Sequence, residues 1–470
     1  MKEKYGLLSL FSGAGGLDLG FKNNGGFNLL LANDIRKPPS MTYSQNFDHK
    51  ITNLDELNQL KLNLPSFILG DIQKIDFEKY KKDDFDIIIG GPPCQDFSIV
   101  RGPSKERRGI EVKRGQLYAH FIRALIHLQP KVFVFENVPG LKSANKGAAY
   151  KTIIDDFSHL NIKWNEIGRM IGNGMSRSLN NYSIAFSGII DSADLGVPQR
   201  RKRLIIIGAR EDLVPKEFGL WGQTKQRAEE LLYGTKSLFK KYPLSTIEAF
   251  EGLPLPELNE EYNKIMKDYG KIFEQVQTDR VEKWKREVFD NLSFDCVTDY
   301  LALNGLTTTR KDELEEAFKE HARVLKKVGY YNNRIEGKSF YDGSNQEADE
   351  SEAVFKRLQM IPPDENHEFV RDTEWEVEGR GMSLIYRRLH PLKPSYTVVA
   401  FGGGGTWGYH YRRNRARLTN RERARLQTFP DSFNFKGNVT EVRAQIGEAV
   451  PPILGEKIAE VTKLILSNLH

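Results

Sequence analysis

The stretch FDIIIGGPPCQDFS, residues 85–98, carries Cys94 out of an apolar, strand-like run through two prolines that stiffen its backbone. A thiol at the end of a buried strand can act as a nucleophile once its thiolate is populated. Most free cysteines are packed as small hydrophobes, but Gly90-Gly91-Pro92-Pro93 is not the flank of a core residue. KVFVFENVPG, residues 131–140, repeats the design: a second apolar run brings Glu136 and Asn137 to its end, and Pro139-Gly140 forces a turn. A carboxyl group and a thiol can then meet one substrate. In VPQRRKRLIIIG, residues 197–208, strand alternation sends Arg201 and Arg203 to the same side, where a guanidinium can hold a carbonyl or a phosphate.

Another set of residues suits a ligand rather than a reacting atom. FSGAGGLDLGF, residues 11–21, places Gly13, Gly15 and Gly16 where a strand turns into a helix and backbone must come close to a ligand. By itself such a turn serves nucleotide binders of many kinds. Asp34 follows a second strand about twenty residues on, the position of a carboxylate that accepts hydrogen bonds from ribose hydroxyls. Gly70-Asp71-Ile72 is a third acidic turn, able to read an adenine amino group. Three such edges favour an adenosine-containing ligand over a bare phosphate.

The elements that must position these residues are readable as apolar runs: YGLLSLF from Tyr5, FNLLLAN from Phe27, FDIIIGG from Phe85, KVFVFEN from Lys131 and RLIIIGA from Arg203. They alternate with helix-length amphipathic segments, the pattern of a doubly wound α/β fold with a parallel sheet covered on both faces, whose ligands sit at the carboxyl ends of the strands. After Arg210 the alternation stops. Leu314, Phe318, His321 and Leu325 share one helical face, and EGKSFYDGSNQEADESE from Glu336 reads as a loop or a poorly ordered insertion. Near Tyr386 the composition changes again, through the glycines 402–405, to an arginine-rich segment. There Thr419 and Glu422 signal a capping box, and ILGEKIAEVTKLIL forms an amphipathic terminal helix. These shifts divide the chain at 1–210, 211–385 and 386–470.

The chain has 470 residues, 39% hydrophobic and 28% charged, with a formal charge of +6 that points only weakly to a polyanionic partner. No run approaches the roughly 20 apolar residues of a membrane span, and the N-terminus MKEKYGLLSLF lacks the pattern of an export signal, which leads us to expect a cytoplasmic protein. With only Cys94 and Cys296, a disulfide framework is not expected, and Cys296 reads as a structural thiol.

In order along the chain, FSGAGGLDLGF, GDI, GGPPCQDFS, FENV, QRRKR, RLTNRERARLQTFPDSF and QIGEAVPP resemble the motifs of DNA cytosine-5 methyltransferases. The resemblance covers residues 5 to about 210 and about 386 to 470. It implies a Rossmann-like domain over 1–210 that binds S-adenosylmethionine and releases S-adenosylhomocysteine without a metal, a smaller target recognition domain over 211–385 across a DNA cleft, and a connecting segment and C-terminal helix, 386–470, that return to the catalytic domain. Carried onto this sequence, it makes Cys94 the nucleophile at cytosine C6 and Glu136 the acid that hydrogen-bonds N3 and the exocyclic amine. Arg203 contacts O2, Arg201 lies close to Cys94 or a phosphate, and Asn137 braces the loop bearing Pro93 and Cys94. Phe11, Gly13, Gly15, Asp34, Asp71, Ile72, Pro93 and Leu117 match positions that line the donor pocket. The sequence departs from the family at Glu448, usually Asn beside that pocket, and at Asp34, more often Glu.

The target atom is inaccessible in a stacked duplex, so cytosine must be flipped out and covered. RGPSKERRGIEVKR, residues 101–114, matches the family's mobile loop and holds six basic residues against Glu106 and Glu111. Gln95, Ser98, Arg101, Arg107 and Arg108 are expected to face DNA. WGYHYRRNRARLTNRERAR, with Arg412, Arg413, Arg415, Arg417, Arg421, Arg423 and Arg425, also reads as a DNA-facing surface, some of it paired with acids of the main domain. The expected partner is duplex DNA with a short site, protected from a restriction endonuclease that acts on the same site without a stable complex; a nucleoid association follows. An RNA cytosine methyltransferase and a non-catalytic DNA-binding regulator are the alternatives. The long middle segment argues against the first, and intact Cys94, Glu136 and Arg203 argue against the second. A nicotinamide dehydrogenase, the generic reading of the glycine turn, leaves Pro92-Pro93-Cys94 and Glu136-Asn137 unexplained.

Overall fold

The computed structural model describes residues 4–54, 65–82, 84–93, 116–170, 179–217, 219–306, 310–377, 385–401 and 408–470. They form two compact units. The first comprises Met1–Ser192, Lys202–Lys236 and Val450–His470, and the second Ala193–Arg201 and Ser237–Ala449. The boundaries differ from those expected at 210 and 385. The first unit runs on to Lys236 because the helix Leu220–Leu232 packs on the sheet strand Tyr182–Asp191 and on the terminal helix. Residues 386–449 stay in the second unit, and only the last helix returns to the first.

The first unit is built on an eight-stranded sheet: β1 (Tyr5–Leu10), β2 (Phe27–Asp34), β3 (Lys50–Asn53), β4 (Ser66–Leu69), β5 (Ile87–Gly90), β6 (Val132–Asn137), β7 (Tyr182–Asp191) and β8 (Lys202–Arg210). Their order is β3-β4-β2-β1-β5-β6-β8-β7. The sequence of strands reverses direction between β1 and β5, the switch point at which doubly wound sheets bind ligands. The first six strands run parallel, as the unbroken apolar runs require. β8 is antiparallel to β6, and β7 is antiparallel to β8, so the sheet is mixed rather than wholly parallel. This reversal matters for the site: the start of β8, not its end, lies at the carboxyl edge of β6, with Leu204 opposite Asn137 and Ile205 opposite Glu136.

One hydrophobic cluster joins the sheet to the helices Gln116–Leu128, Ala148–Ser158 and Leu160–Met170. Phe133 and Phe157 face each other at 4.3 Å, with Phe121 and Phe135 edge-on to Phe157; burying each such ring contributes about 1.5–3 kcal/mol. The terminal helix Pro452–Ser467 packs against the helix Gly16–Asn24. The two backbones nearly touch, since a Cβ on Gly20 would stand 2.3 Å from the backbone of Gly455 and Glu456.

The second unit is helical among the described residues. Its helices include Lys311–Lys327, whose buried Phe318, His321 and Leu325 bear out the predicted face, and Asn420–Leu426, which opens with the predicted capping box: Thr419 N donates to Glu422 at 2.8 Å. The arginine run is an interior rather than a surface. Arg421, Arg423 and Arg425 are fully buried and Arg413 and Arg415 nearly so. Arg421 pairs with Asp342 at 2.7 Å and bonds Ser344 Oγ at 2.8 Å, Arg415 pairs with Glu347 and Glu422, Arg417 with Glu350, and Arg412 with Glu251 and Glu261. Half of these acids belong to the stretch from Glu336 read as a loop or insertion. It has no regular structure over 336–351, yet its carboxylates neutralise guanidinium groups that would be very costly to bury unpaired. All these acids lie in the second unit, not in the main domain.

Candidate active site

The carboxyl ends of β1, β2, β4, β5 and β6 and the start of β8 gather on one edge of the first unit's sheet. β1 runs out through Phe11, which takes φ 55°, into Gly13 at φ 55° and Gly15 at φ 86°. Gly15 is the N-cap of the helix Gly16–Asn24 and is packed beneath Phe47 and Tyr43, whereas a Cβ on Gly13 would meet nothing within 4 Å. The turn is held by its neighbour strand: Asp34 Oδ2 accepts from Gly13 N at 3.0 Å, and its Oδ1 accepts from Arg36 N at 2.9 Å. Below it Asp18 is fully buried and accepts from Tyr43 OH at 2.8 Å; burial pushes its carboxyl up to about 6.

Next along the edge, Asn33 Nδ2 donates to the carbonyls of Ile68 and Gly70 at 3.0 and 2.9 Å, tying β2 to the acidic turn after β4. In that turn Asp71 is half-buried and caps the one-turn helix Ile72–Lys74, accepting from Gln73 N at 3.0 Å; Ile72 is buried. Leu117 is partly buried against the central cluster. Ile35, directly after Asp34, is 64% exposed, an apolar side chain at the same edge that sequence reading did not single out.

The chemical half of the edge is made by β5, β6 and β8. Asn137 Nδ2 donates to Pro92 O at 3.0 Å, so the end of β6 grips the chain one residue before the exposed Pro93. Glu136 meets Arg203 at 2.9 Å, Nε to Oε1, with only 14% and 12% of the two side chains exposed. Gly91 is the floor of this pair: a Cβ there would lie 2.6 Å from Glu136 Oε2. Arg203 Nη1 donates back to the Lys202 carbonyl at 2.8 Å, fixing the fork at the start of β8.

Cys94, Gln95, Ser98, Arg101, Arg107 and Arg108 lie outside the described residues. Arg201 is placed otherwise than expected. It belongs to the second unit, is fully buried, and donates to the carbonyls of Val398 at 2.9 Å and Gly447 at 2.8 Å. A guanidinium so engaged joins segments of that unit and is not presented to a phosphate. Gln199, two residues earlier, does similar work, donating to Leu426 O and Gln427 Oε1 and accepting from Val398 N. Its signal was a polar side chain inside QRRKR, hidden by the charges around it. Glu448 is exposed near the end of the helix Val439–Glu448. Cys296 is buried, and burial raises its thiol pKa, the state of an inert structural cysteine.

Among the described residues no helix is long and apolar enough to cross a membrane, and no group of His, Cys, Asp and Glu side chains could hold a metal ion.

The family model of C-5 cytosine-specific DNA methylases matches residues 5–463. DNA (cytosine-5-)-methyltransferase M.ApeKI of Aeropyrum pernix is 52% identical over 465 residues, 99% of each chain. Type II methyltransferase M.NgoFVII of Neisseria gonorrhoeae is 32% identical over 461 residues, 98% of this chain and 86% of that protein. A solved prophage-encoded protein of E. coli, described as a DNA modification methyltransferase, shares the fold with a TM-score of 0.54 at 22% identity, covering 99% of this chain and all of the other. A Rossmann-like sheet, a guarded carboxylate beside the PPC strand end and a match over nearly the whole length converge on one assignment: the chain belongs to the C-5 cytosine-specific DNA methylases and is a DNA (cytosine-5-)-methyltransferase.

Proposed function

We propose that this enzyme methylates C5 of a flipped cytosine in a short duplex site, with Cys94 as nucleophile and Glu136 and Arg203 as the groups that hold the ring. The observation that carries the reading is the Glu136–Arg203 pair over Gly91, next to the Pro92 carbonyl that Asn137 grips, on the strand that leads directly into Cys94. Cytosine C5 is a poor nucleophile. The Cys94 thiolate adds to C6, and Glu136 supplies a hydrogen bond and a proton at N3, so that the electron pair released by addition is held at C5 as an enamine. After C5 has gained its substituent, loss of its proton to water restores the C5–C6 double bond and expels Cys94 as thiolate while N3 returns its proton to Glu136, dividing one hard step into easier ones. Arg203 orients Glu136 and takes the cytosine O2.

The first three strand ends suit an adenosine-bearing methyl donor. Gly13 leaves open space, Asp34 offers a carboxylate for ribose hydroxyls while already fixing the turn, and Asp71 with Ile72 offers an edge for the adenine. S-adenosylmethionine, when bound there, supplies an electrophilic sulfonium methyl. Phe11, Gly15, Pro93 and Leu117 complete the proposed lining. Residues 211–385, most of which fall in the second unit, serve as the target recognition domain, and Gln95, Ser98, Arg101, Arg107 and Arg108 contact DNA. Relatives named type II methyltransferases support a role in protecting host DNA from a restriction endonuclease of the same specificity.

The test is transfer of a tritiated methyl group from S-adenosylmethionine to unmethylated duplex DNA, followed by bisulfite sequencing. Protected cytosines in one repeated motif are expected. Cys94→Ala is expected to lose transfer and keep specific DNA binding; wild-type turnover in that variant would sink the nucleophile. Transfer to RNA and not to DNA would replace the substrate.

A further inference from the structure

The helix Gln116–Leu128 is largely apolar along LYAHFIRALIHL but buries three basic side chains that the proposed mechanism does not use, His120, Arg123 and, in its last turn, His127; the first two form a pair. His120 and Arg123 are 6% and 5% exposed. Arg123 spends its guanidinium on the backbone of the turn after β4: Nη1 donates to Ile75 O at 2.8 Å and Nη2 to Ile72 O at 2.7 Å. Its Nε donates to His120 Nδ1 at 3.0 Å, and the ring of Phe77 lies 4.8 Å from its Cζ. Burial and the neighbouring Arg123 push His120 down to about 4, so the imidazole is neutral, accepts at Nδ1 and carries its proton on Nε2. Asp71 lies close enough for its charge to act on that ring.

A core of this kind does not need a charged fork, and burying one is unfavourable unless every N–H is directed at a partner. Here the partners are carbonyls of the turn that presents Asp71 and Ile72. The Ile72 carbonyl already accepts from Ile75 N at 3.1 Å; Arg123 is its second donor and spans to the Ile75 carbonyl as well. One side chain therefore ties both ends of a turn whose own bonds are only those of a single 3-10 turn and the Asp71 cap.

We propose that Arg123, held in register by His120, is the positioning residue that sets the Asp71–Ile72 edge for recognition of the donor's adenine. It touches no ligand and acts through the turn. The inference rests on the reading of that edge as the adenine site.

The experiment is calorimetric titration of S-adenosylhomocysteine and of its inosine counterpart, in which the purine 6-amino group is a carbonyl, into wild-type enzyme, Arg123→Met, Arg123→Lys and Asp71→Ala. Wild type should prefer the adenine form by about tenfold or more, because a site built to pair with an amino group rejects the analogue lacking it. Arg123→Met should bring that preference down to the level of Asp71→Ala. Arg123→Lys, which can reach one carbonyl but not span two, should fall between. A preference unchanged in Arg123→Met, with only a lowered Tm, would make the residue merely structural and overturn the proposal. If Arg123→Met does not fold, His120→Ala, which leaves both carbonyl contacts, reads the same ratio: a smaller fall supports the proposal and an unchanged ratio overturns it. Wild-type enzyme that binds neither compound would instead overturn the reading of the donor site.

Discussion

Gly91→Ala separates the position of the Glu136 carboxylate from the stability of the fold. The backbone at Gly91 is not left-handed, so alanine is allowed there. Its Cβ, however, would lie 2.6 Å from Glu136 Oε2 where ordinary contact begins at 3.4 Å, so the carboxylate must retreat by about 0.8 Å. The nearest atom in the way is the end of a side chain, and the Glu136 carbonyl oxygen at 3.3 Å is only slightly inside ordinary contact, so the move is cheap for the fold. It is expensive for the reaction, because a displacement near 1 Å in a reacting group can cost about 10²-fold. The expected result is kcat lowered about 10- to 100-fold in the methyl-transfer assay, with Tm changed by less than about 3 °C. S-adenosylhomocysteine affinity should be unaltered. Wild-type kcat in Gly91→Ala, with the variant folded, would refute the claim that the carboxylate must sit where Arg203 now holds it. A large loss of stability would refute the claim that it can move.

Gly20→Ala makes the opposite case, since its Cβ would meet backbone of Gly455 and Glu456 at 2.3 Å and the two helices must separate; a loss of about 1–3 kcal/mol or more in urea denaturation is expected, and a neutral substitution would contradict the close crossing. Asp342→Ala leaves the fully buried Arg421 without its carboxylate, and should cost about 3–5 kcal/mol in unfolding of the second unit. His321 is held between Glu248 at 2.8 Å and the Tyr242 carbonyl at 2.9 Å; burial opposes its charge, but the Glu248 carboxylate and these bonds outweigh burial and raise its pKa above 6.5. Its stabilising contribution is therefore complete below the unfolded value and is lost as pH rises through the raised folded value. The urea midpoint should fall between pH 6 and pH 9 in wild type and fall less in His321→Gln; identical pH profiles would exclude the pair.

Five strands were legible as apolar runs because burial on both faces leaves no alternation to misread: β1, β2, β5, β6 and β8. β3 and β4 escaped notice at four residues each, and β7 because its buried and half-buried positions mix, with Ser183, Ser187 and Gly188 breaking the pattern. The strand-end chemistry followed from the same runs. A residue type at the end of a buried strand is placed by the strand itself, which is why Glu136, Asn137, Asp34 and Gly13 stand at the edge where they were expected.

What the tertiary structure decided was partnership. Nothing local states that β8 runs antiparallel, yet that direction alone puts Arg203 against Glu136. The arginines from Arg412 to Arg425 carry the same charge whether they face DNA or a buried carboxylate. The return of Asp342, Glu347 and Glu350, some seventy residues away in sequence, and of Glu251 and Glu261, farther still, turns them into an interior. Arg201 looked like the twin of Arg203 by alternation, and its fate was set by Val398 and Gly447 about two hundred residues on. Periodicity and strand ends are written in neighbouring residues. The neutralisation of a buried charge is a long-range balance, and it becomes visible only when the chain has folded back on itself.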